Sequence, residues 1–260
     1  FEEVLLPALA DRGAEWLGVS LTFQQPCPAA FRLATLARAC LPELRVIAGG
    51  PLVACWRAIG LDLDRPPFEL FDGLYGDTEA ELTRLSGALG GKSIGPPDGP
   101  LSVPLTLAPW DDYLVPTPTV PAALGQGCYW RRCTFCPDHL HPKHHPCGED
   151  QLGAWLDAVA RRFPDGAMLH LSDSALATHI ATRELPLTWH GFSRLEPELG
   201  DPAFCEHLRR GGCAMLQLGV ETGSERLMGM LGKGGSIARN RQVVRGVAAA
   251  GIRNHLFLVF

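Results

Sequence analysis

Residues 127–137 read GCYWRRCTFCP and place three cysteines, Cys128, Cys133 and Cys136, within nine residues. Thiolates bind soft and borderline metals, so metal chemistry is the first to weigh. A structural zinc site wants four ligands, commonly from paired C-x-x-C knuckles, and only Cys133 and Cys136 form one here. A fourth zinc ligand would come from Cys147 or from His139, His141, His144 or His145. An iron–sulfur cubane is normally held by four thiolates. Three thiolates in one tight loop would leave one iron open to an exogenous ligand. That arrangement suits a cluster that does chemistry better than one that only carries electrons. A fully ligated electron carrier is the remaining metal reading. Coincidental core cysteines fit poorly, because two arginines and a proline accompany them.

The elements that must position this loop follow an alternating pattern. Residues 15–23 form an apolar, β-branched run and predict a strand, and 29–44 carry helical spacing at Phe31, Leu33, Leu36 and Ala37. Residues 45–51 predict a short buried strand ending in Gly49-Gly50, and 70–89 a strand, a turn at Gly76-Asp77 and a helix from Thr78. Residues 1–91 thus make an open α/β half-domain. Residues 92–121 contain eight prolines and predict a linker free of helix and central strand, with Trp110 and Tyr113 as anchors. From 122 onward a second alternation begins: a short strand before the cysteine loop, a helix over 148–163, and strands over 167–176, 187–197 and 214–224. Helices over 201–212, from Ser224 and over 242–251 follow, then a last strand. Asp201 and Pro202 give the helix over 201–212 an N-cap and a favourable first residue. The polar residues gather at the carboxyl ends of these strands, the face where parallel α/β barrels do chemistry.

The 260 residues are 46% hydrophobic and 20% charged, an ordinary globular balance. A net charge of −5 with scattered arginines leaves no electrostatic footprint for nucleic acid. No apolar run reaches the ~20 residues of a membrane helix. The start, FEEVLLPALADRG, lacks the pattern of a signal peptide and an initiator Met, and the end, HLFLVF, reads as a strand, so a fragment cut at both ends is expected. Nine cysteines, an odd number in a long chain, fit reduced thiols in a cytoplasmic protein better than a disulfide framework. Cys40, Cys205 and Cys213 sit in apolar or helical contexts and are expected as small buried hydrophobes.

The loop GQGCYWRRCTFC after a short strand resembles the cluster loop of the radical S-adenosylmethionine (SAM) enzymes. LSDSAL and LQLGVETGSERLMGMLGKG, followed by AAGIRNHLFLVF, resemble later strands of that family. LGVSLTF, VIAGGP and FDGLYGDTEAEL resemble the cobalamin-binding domain that precedes the barrel in one large subgroup. The resemblance covers nearly the whole chain, and the cysteine loop is its specific part. The spacing is C-x4-C-x2-C where C-x3-C-x2-C is commonest, and GDTEAEL stands where GEGE is usual. The fold it implies is a partial Rossmann-like cobalamin-binding domain over 1–91, a proline-rich linker over 92–121, and a partial (β/α) radical SAM barrel over 122–260.

What the family does supplies expectations for the residues. Cys128, Cys133 and Cys136 would hold a [4Fe–4S] cluster whose open iron chelates SAM. One electron would then cleave the sulfonium to methionine and a 5′-deoxyadenosyl radical. Tyr129, Trp130 and Phe135 would shelter the cluster, or simply pack. Asp173 would contact the amine or ribose of SAM, or cap the next helix. Arg194 would bind the methionine carboxylate, or pair with Glu196 or Glu198. Glu221 would contact ribose or amine, with Thr222 and Ser224 capping the helix that follows. Ser20, Thr22, Gly49 and Gly50 would line the slot for cobalamin's nucleotide tail, or form an ordinary turn; ligands of open α/β sheets bind beyond the carboxyl strand ends. Implied partners are a small-molecule or peptide substrate and an electron donor such as flavodoxin or ferredoxin. The implied activity is methylation of an unactivated centre through cobalamin. A radical rearrangement or cyclisation is the nearest alternative, and a zinc-stabilised α/β binding module is the alternative from another class.

Overall fold

The computed structural model describes residues 1–76, 79–91, 100–102, 104–106, 108–136, 144–171 and 185–259. They fall into two compact units, one within 1–96 and one within 97–136 and 143–260.

The first unit is built on a parallel sheet in the order β1 (Trp16–Ser20), β2 (Arg45–Gly49), β3 (Gly73–Tyr75). Val46, Ile47 and Ala48 are buried in succession along β2, the mark of a strand covered on both faces. The helix Cys27–Cys40 buries Ala30, Leu33, Ala34 and Ala37, the three-and-four spacing of one helical face. Its last residue, Cys40, is exposed, which corrects its expected place in the core. At the carboxyl end of β2 the chain needs glycine. A Cβ on Gly49 would lie 2.9 Å from the Tyr75 carbonyl oxygen, and one on Gly50 2.9 Å from that of Leu21. Gly50 also has φ 116°, a conformation that side chains disfavour. The Gly49 carbonyl accepts from Leu21 N at 2.7 Å, and Gly50 N donates to Tyr75 O at 3.0 Å, so the turn stitches all three strand ends together.

The second unit carries a six-stranded sheet in the order β11 (Arg253–Leu258), β10 (Cys213–Glu221), β9 (Leu187–Ser193), β8 (Ala167–Leu171), β5 (Thr119–Ala123), β4 (Leu101–Ser102). All pairings are parallel except that of the two-residue β4. From β5 to β11 each neighbour in the sheet is the next such strand in the chain. That is the order of an arc of a β/α barrel, whereas a doubly wound sheet reverses direction. One sheet face, with Leu169, Leu171, Trp189, Leu216 and Leu218, packs in one core with Leu152, Leu156 and Val159 of the helix Glu149–Arg162 and Val243 and Val247 of the helix Ile237–Ala249. The expected α/β class, a partial Rossmann-like sheet followed by a partial barrel, is the fold found. The last helix starts at Ile237 rather than near Gln242, because Ser236 caps it by accepting from Arg239 N at 3.1 Å.

The proline-rich segment differs from expectation. β5 begins at Thr119 and runs through Pro121 as an inner strand. The strand period explains how. Met168 N donates to Pro118 O, so residues of that parity turn their backbone groups toward β8 and Pro121 turns its own toward β4. There β4 pairs only with Ala122 and Ala123, and Ser102 Oγ donates to the Pro121 carbonyl at 2.9 Å. The missing N–H therefore falls where no ladder bond is required. Trp110 is a buried anchor, its Nε1 donating to Leu105 O at 2.8 Å and its ring edge-on to Phe163. Tyr113 is 56% exposed and is no second anchor.

Candidate functional site

The cysteine loop leaves the sheet after β5. A two-residue antiparallel ladder, β6 (Gly125–Gln126) with β7 (His145–Pro146), ties its base, and Cys147 N donates to Leu124 O at 2.7 Å just below. Within the loop Arg131 takes a left-handed backbone, φ 52°, so the four residues between Cys128 and Cys133 turn rather than extend. The tip is held from a distant segment. Thr134 N donates to Leu231 O at 3.0 Å, Thr134 Oγ1 to Met230 O at 3.4 Å, and Trp130 Nε1 to Gly232 O at 2.8 Å. Gly232 and Gly234 make this contact possible. A Cβ on the first would lie 2.2 Å from Arg132 O, and one on the second 2.5 Å from the Trp130 ring. The loop is thus clamped against 230–234 by shape as well as by hydrogen bonds.

Two charged residues from the neighbouring strand ends join the clamp. Arg194, just past β9, stacks its guanidinium 4.1 Å over the Trp130 ring, donates from Nε to Glu196 Oε1 at 2.9 Å and from Nη2 to Lys233 O at 2.8 Å. Tyr129 OH donates to the same Glu196 oxygen, and burial followed by that acceptor pushes the phenol well above its ordinary range. Glu221 ends β10 with φ 62° and is buried, and Lys233 Nζ lies 2.8 Å from its Oε1. A Cβ at Gly219 would sit 2.5 Å from Lys233 Nζ and 2.6 Å from that carboxylate oxygen, so only glycine leaves room for the pair. The sequence-based alternatives are both realised: Arg194 pairs with Glu196, and Ser224 caps the helix Glu225–Met230 with Thr222 Oγ1 accepting from Ser224 N. Asp173 lies outside the described residues, as do His139 and His141.

The three loop cysteines are partly buried, and none of the nine cysteines forms a disulfide. Cys147, Cys205 and Cys213 differ in being buried. Burial raises the thiol pKa of Cys147 and Cys205 and pushes that of Cys213 up to about 12. Cys147 is buried in the apolar core and joins no ligand group among the described residues. Among the described residues no three His, Cys, Asp or Glu side chains are placed to hold a single metal ion, so the loop thiols do not form a mononuclear site. Their chemistry still fits an iron–sulfur group: soft donors on one clamped loop, with Lys233 and Arg194 beside it to offset thiolate charge.

In the first unit, Ser20, Gly49 and Gly50 line a cleft of about 340 Å³ at the carboxyl ends of the three strands, together with Tyr75, Gly76 and Leu85. Ser20 is exposed there; Thr22 is exposed and is not among the lining residues. Glu81, buried beside this cleft, lies 3.2 Å from Arg57, and a Cβ on Gly76 would strike its carboxylate. The sequence reading missed Lys233, Gly219 and the 230–234 clamp. The glycine-flanked lysine in LGKGG was the available signal, since glycines on both sides imply a backbone in close contact with something.

No protein-family model and no curated protein matches the chain. Solved structures do. The cobalamin-dependent S-adenosylmethionine radical enzyme OxsB with aqua-cobalamin bound aligns at TM-score 0.69 and 18% identity, over 98% of this chain and 42% of OxsB. The radical S-adenosylmethionine methyltransferase TsrM from Kitasatospora setae, with cobalamin and a [4Fe–4S] cluster bound, aligns at TM-score 0.65 and 15% identity, over 100% of this chain and 61% of TsrM. The chain therefore spans less than two thirds of either protein. At these identities the likeness is one of fold.

Proposed function

We propose that this chain carries the cofactor-binding part of a cobalamin-dependent radical SAM enzyme, with Cys128, Cys133 and Cys136 holding a [4Fe–4S] cluster. The observation behind this reading is the placement of three thiols on one loop at the carboxyl end of a parallel arc, tied by three hydrogen bonds to residues 230–232. OxsB and TsrM share that fold, and both are cobalamin-dependent or cobalamin-bound radical enzymes. When bound, the cluster would supply one-electron cleavage of SAM and cobalamin a methyl carrier.

The chain's own residues orient and shield. Arg194 is fixed by Trp130, Glu196 and the Lys233 carbonyl, and its Nη1 has no hydrogen-bond partner among the described residues. That nitrogen is assigned to the methionine carboxylate. Glu221 Oε1 is held by Lys233, which leaves Oε2 for a ribose hydroxyl or the amine. Asp173 is kept as a third contact on sequence alone. Trp130 is half-buried against the clamp, whereas Tyr129 and Phe135, 45% and 44% exposed, give the loop only partial shelter from water. Ser20, Thr22, Gly49 and Gly50 are assigned to cobalamin's tail, and the 340 Å³ cleft supports three of the four. The activity proposed is methylation of an unactivated centre in a small molecule or peptide, with an external flavodoxin- or ferredoxin-type donor. No helix of the described residues is long and apolar enough to cross a membrane.

Anaerobic reconstitution with iron and sulfide tests the cluster. Iron per chain and the visible thiolate-to-iron band are expected to fall in Cys128→Ala, Cys133→Ala and Cys136→Ala and to persist in Cys147→Ala. Full iron in all three loop variants would overturn the assignment, and one zinc per chain without iron would install the zinc module instead. Methyl-labelled SAM with the complete protein and its substrate separates methylation, where label enters product, from a rearrangement or cyclisation, where it does not.

A further inference from the structure

One face of the second unit's sheet builds the core; the opposite face is open. Strand alternation puts His170 of β8, His190 and Phe192 of β9, Gln217 and Gly219 of β10, and His255 and Phe257 of β11 on that open face. The rings form a continuous stack. His170 and His190 are 4.4 Å apart at 23°, His170 and Phe192 5.9 Å at 29°, and Phe192 and Phe257 5.8 Å at 18°. All the other aromatic pairs among the described residues are tilted or edge-on. Phe192 and Phe257 stand on strands separated by β10, and their rings meet across it. Both remain open, at 39% and 37% exposure.

The polar groups on the face point the same way. Gln217 Nε2 and His190 Nδ1 lie 3.1 Å apart, so the amide fixes the imidazole's orientation. Burial, followed by the charges of His170 and Arg253, lowers the His190 pKa and keeps the ring neutral near pH 7. Glu221, the one carboxylate on this face among the described residues, is engaged by Lys233. The face thus presents flat π surfaces and the neutral His190–Gln217 pair, with Arg253 at the amino end of β11 and no unpaired carboxylate among the described residues to draw a cation. It continues to the rim that bears Glu221 and, through Lys233, Phe135 of the cysteine loop.

We propose that His170, His190, Phe192, Gln217 and Phe257 form the floor of the substrate site and select a neutral, planar nitrogen heteroaromatic ring. A flat ring extends the stack, and its ring nitrogen or exocyclic amide meets the imidazole and glutamine. A saturated ring of the same size forfeits the stacking. This substrate class rests on the radical reading above for its reaction, but not for its binding.

The test therefore uses the iron-free chain and nicotinamide as a neutral heteroaromatic probe, with cyclohexanecarboxamide as its saturated counterpart. Saturation-transfer NMR and the imidazole Hε1 resonances report binding. Nicotinamide is expected to bind and to move the His170 and His190 signals by ring current. Cyclohexanecarboxamide, and nicotinamide with Phe192→Leu, are expected to bind about tenfold more weakly, the scale of one lost ring stack. Phe192 is exposed enough that this variant folds. Equal binding of the two probes, or no nicotinamide binding at all, overturns the proposal. In the reconstituted protein added SAM is expected to leave bound nicotinamide in place; displacement would give the face to the cofactor's adenine and overturn the substrate assignment. Nicotinamide binding in a protein that takes up no iron would keep the ring site while the radical reading falls.

Discussion

Replacing Lys233 by Met puts the clamp to a quantitative test. Its ammonium lies 2.8 Å from Glu221, and the two side chains are only 13% and 9% exposed. Methionine keeps the length and most of the apolar contact but strands a buried carboxylate. Losing one partner of a buried pair costs about 3–5 kcal/mol. Both groups keep a little solvent contact, so the lower end, about 3 kcal/mol, is expected here. For a chain of this size that is a drop in Tm of roughly 6–12 °C. Glu221→Gln added to Lys233→Met removes the stranded charge and is expected to restore most of the loss. Thermal melts of the four proteins of this cycle supply the coupling energy. Hydrogen exchange at the Val259 amide, which donates to the Glu221 carbonyl, locates the effect on β10 and β11. A Lys233→Met cost within about 0.5 kcal/mol of zero, the range of ordinary surface substitutions, would show that the pair is not buried as argued.

His190 predicts an acid limb. Its folded pKa lies below the ordinary value of 6.5, so the unfolded chain binds its proton first as pH falls. The His190 contribution is whole above that value and is lost as pH falls below it toward the folded pKa. Urea unfolding of His190→Gln is expected to show a shallower loss of stability below pH 6.5 than wild type; an unchanged slope would refute the linkage. In the first unit, Gly50→Ala is expected to destabilise by about 1–3 kcal/mol through its left-handed backbone. Ser20→Trp, at an exposed cleft position, is expected to leave urea unfolding unchanged yet weaken hydroxocobalamin binding measured by absorbance. Unaltered binding in a folded Ser20→Trp protein would remove this cleft as the cobalamin slot.

What the sequence disclosed depended on how local the determining physics was. β1, β2 and the helices Cys27–Cys40 and Glu149–Arg162 were legible, because burial periodicity over ten or so residues decides them. The caps at Asp201 and Ser224 were legible for the same reason. Pro121 misled because proline's exclusion from inner strands is a statement about one N–H, and the side of the strand that N–H faces is set by partners far along the chain. Cys40 misled because an apolar neighbourhood in sequence is not a buried face; it falls on the outward side of its helix's last turn. The thiol loop was legible as a motif, but its restraint was not. Nothing within 127–137 announces that Leu231 and Gly232 will hold it.

That separation bears on how the site works. Among the described residues the cysteine loop is tied at its base by the small β6–β7 ladder and the Cys147–Leu124 hydrogen bond. Its tip takes its position from residues 230–234, which also hold Arg194 through the Lys233 carbonyl and Glu221 through the Lys233 ammonium. Loop, guanidinium and carboxylate therefore share one support. A disturbance at Gly232 or Gly234, where a methyl group would press on Arg132 or Trp130, moves all three together. Side chains from several strand ends keep a fixed register when one segment supports them all, and here a few residues suffice. The open ring-stacked face lies directly below that support on the same strands, so whatever ring settles there is placed against Glu221 and Lys233 by the sheet itself rather than by the loop.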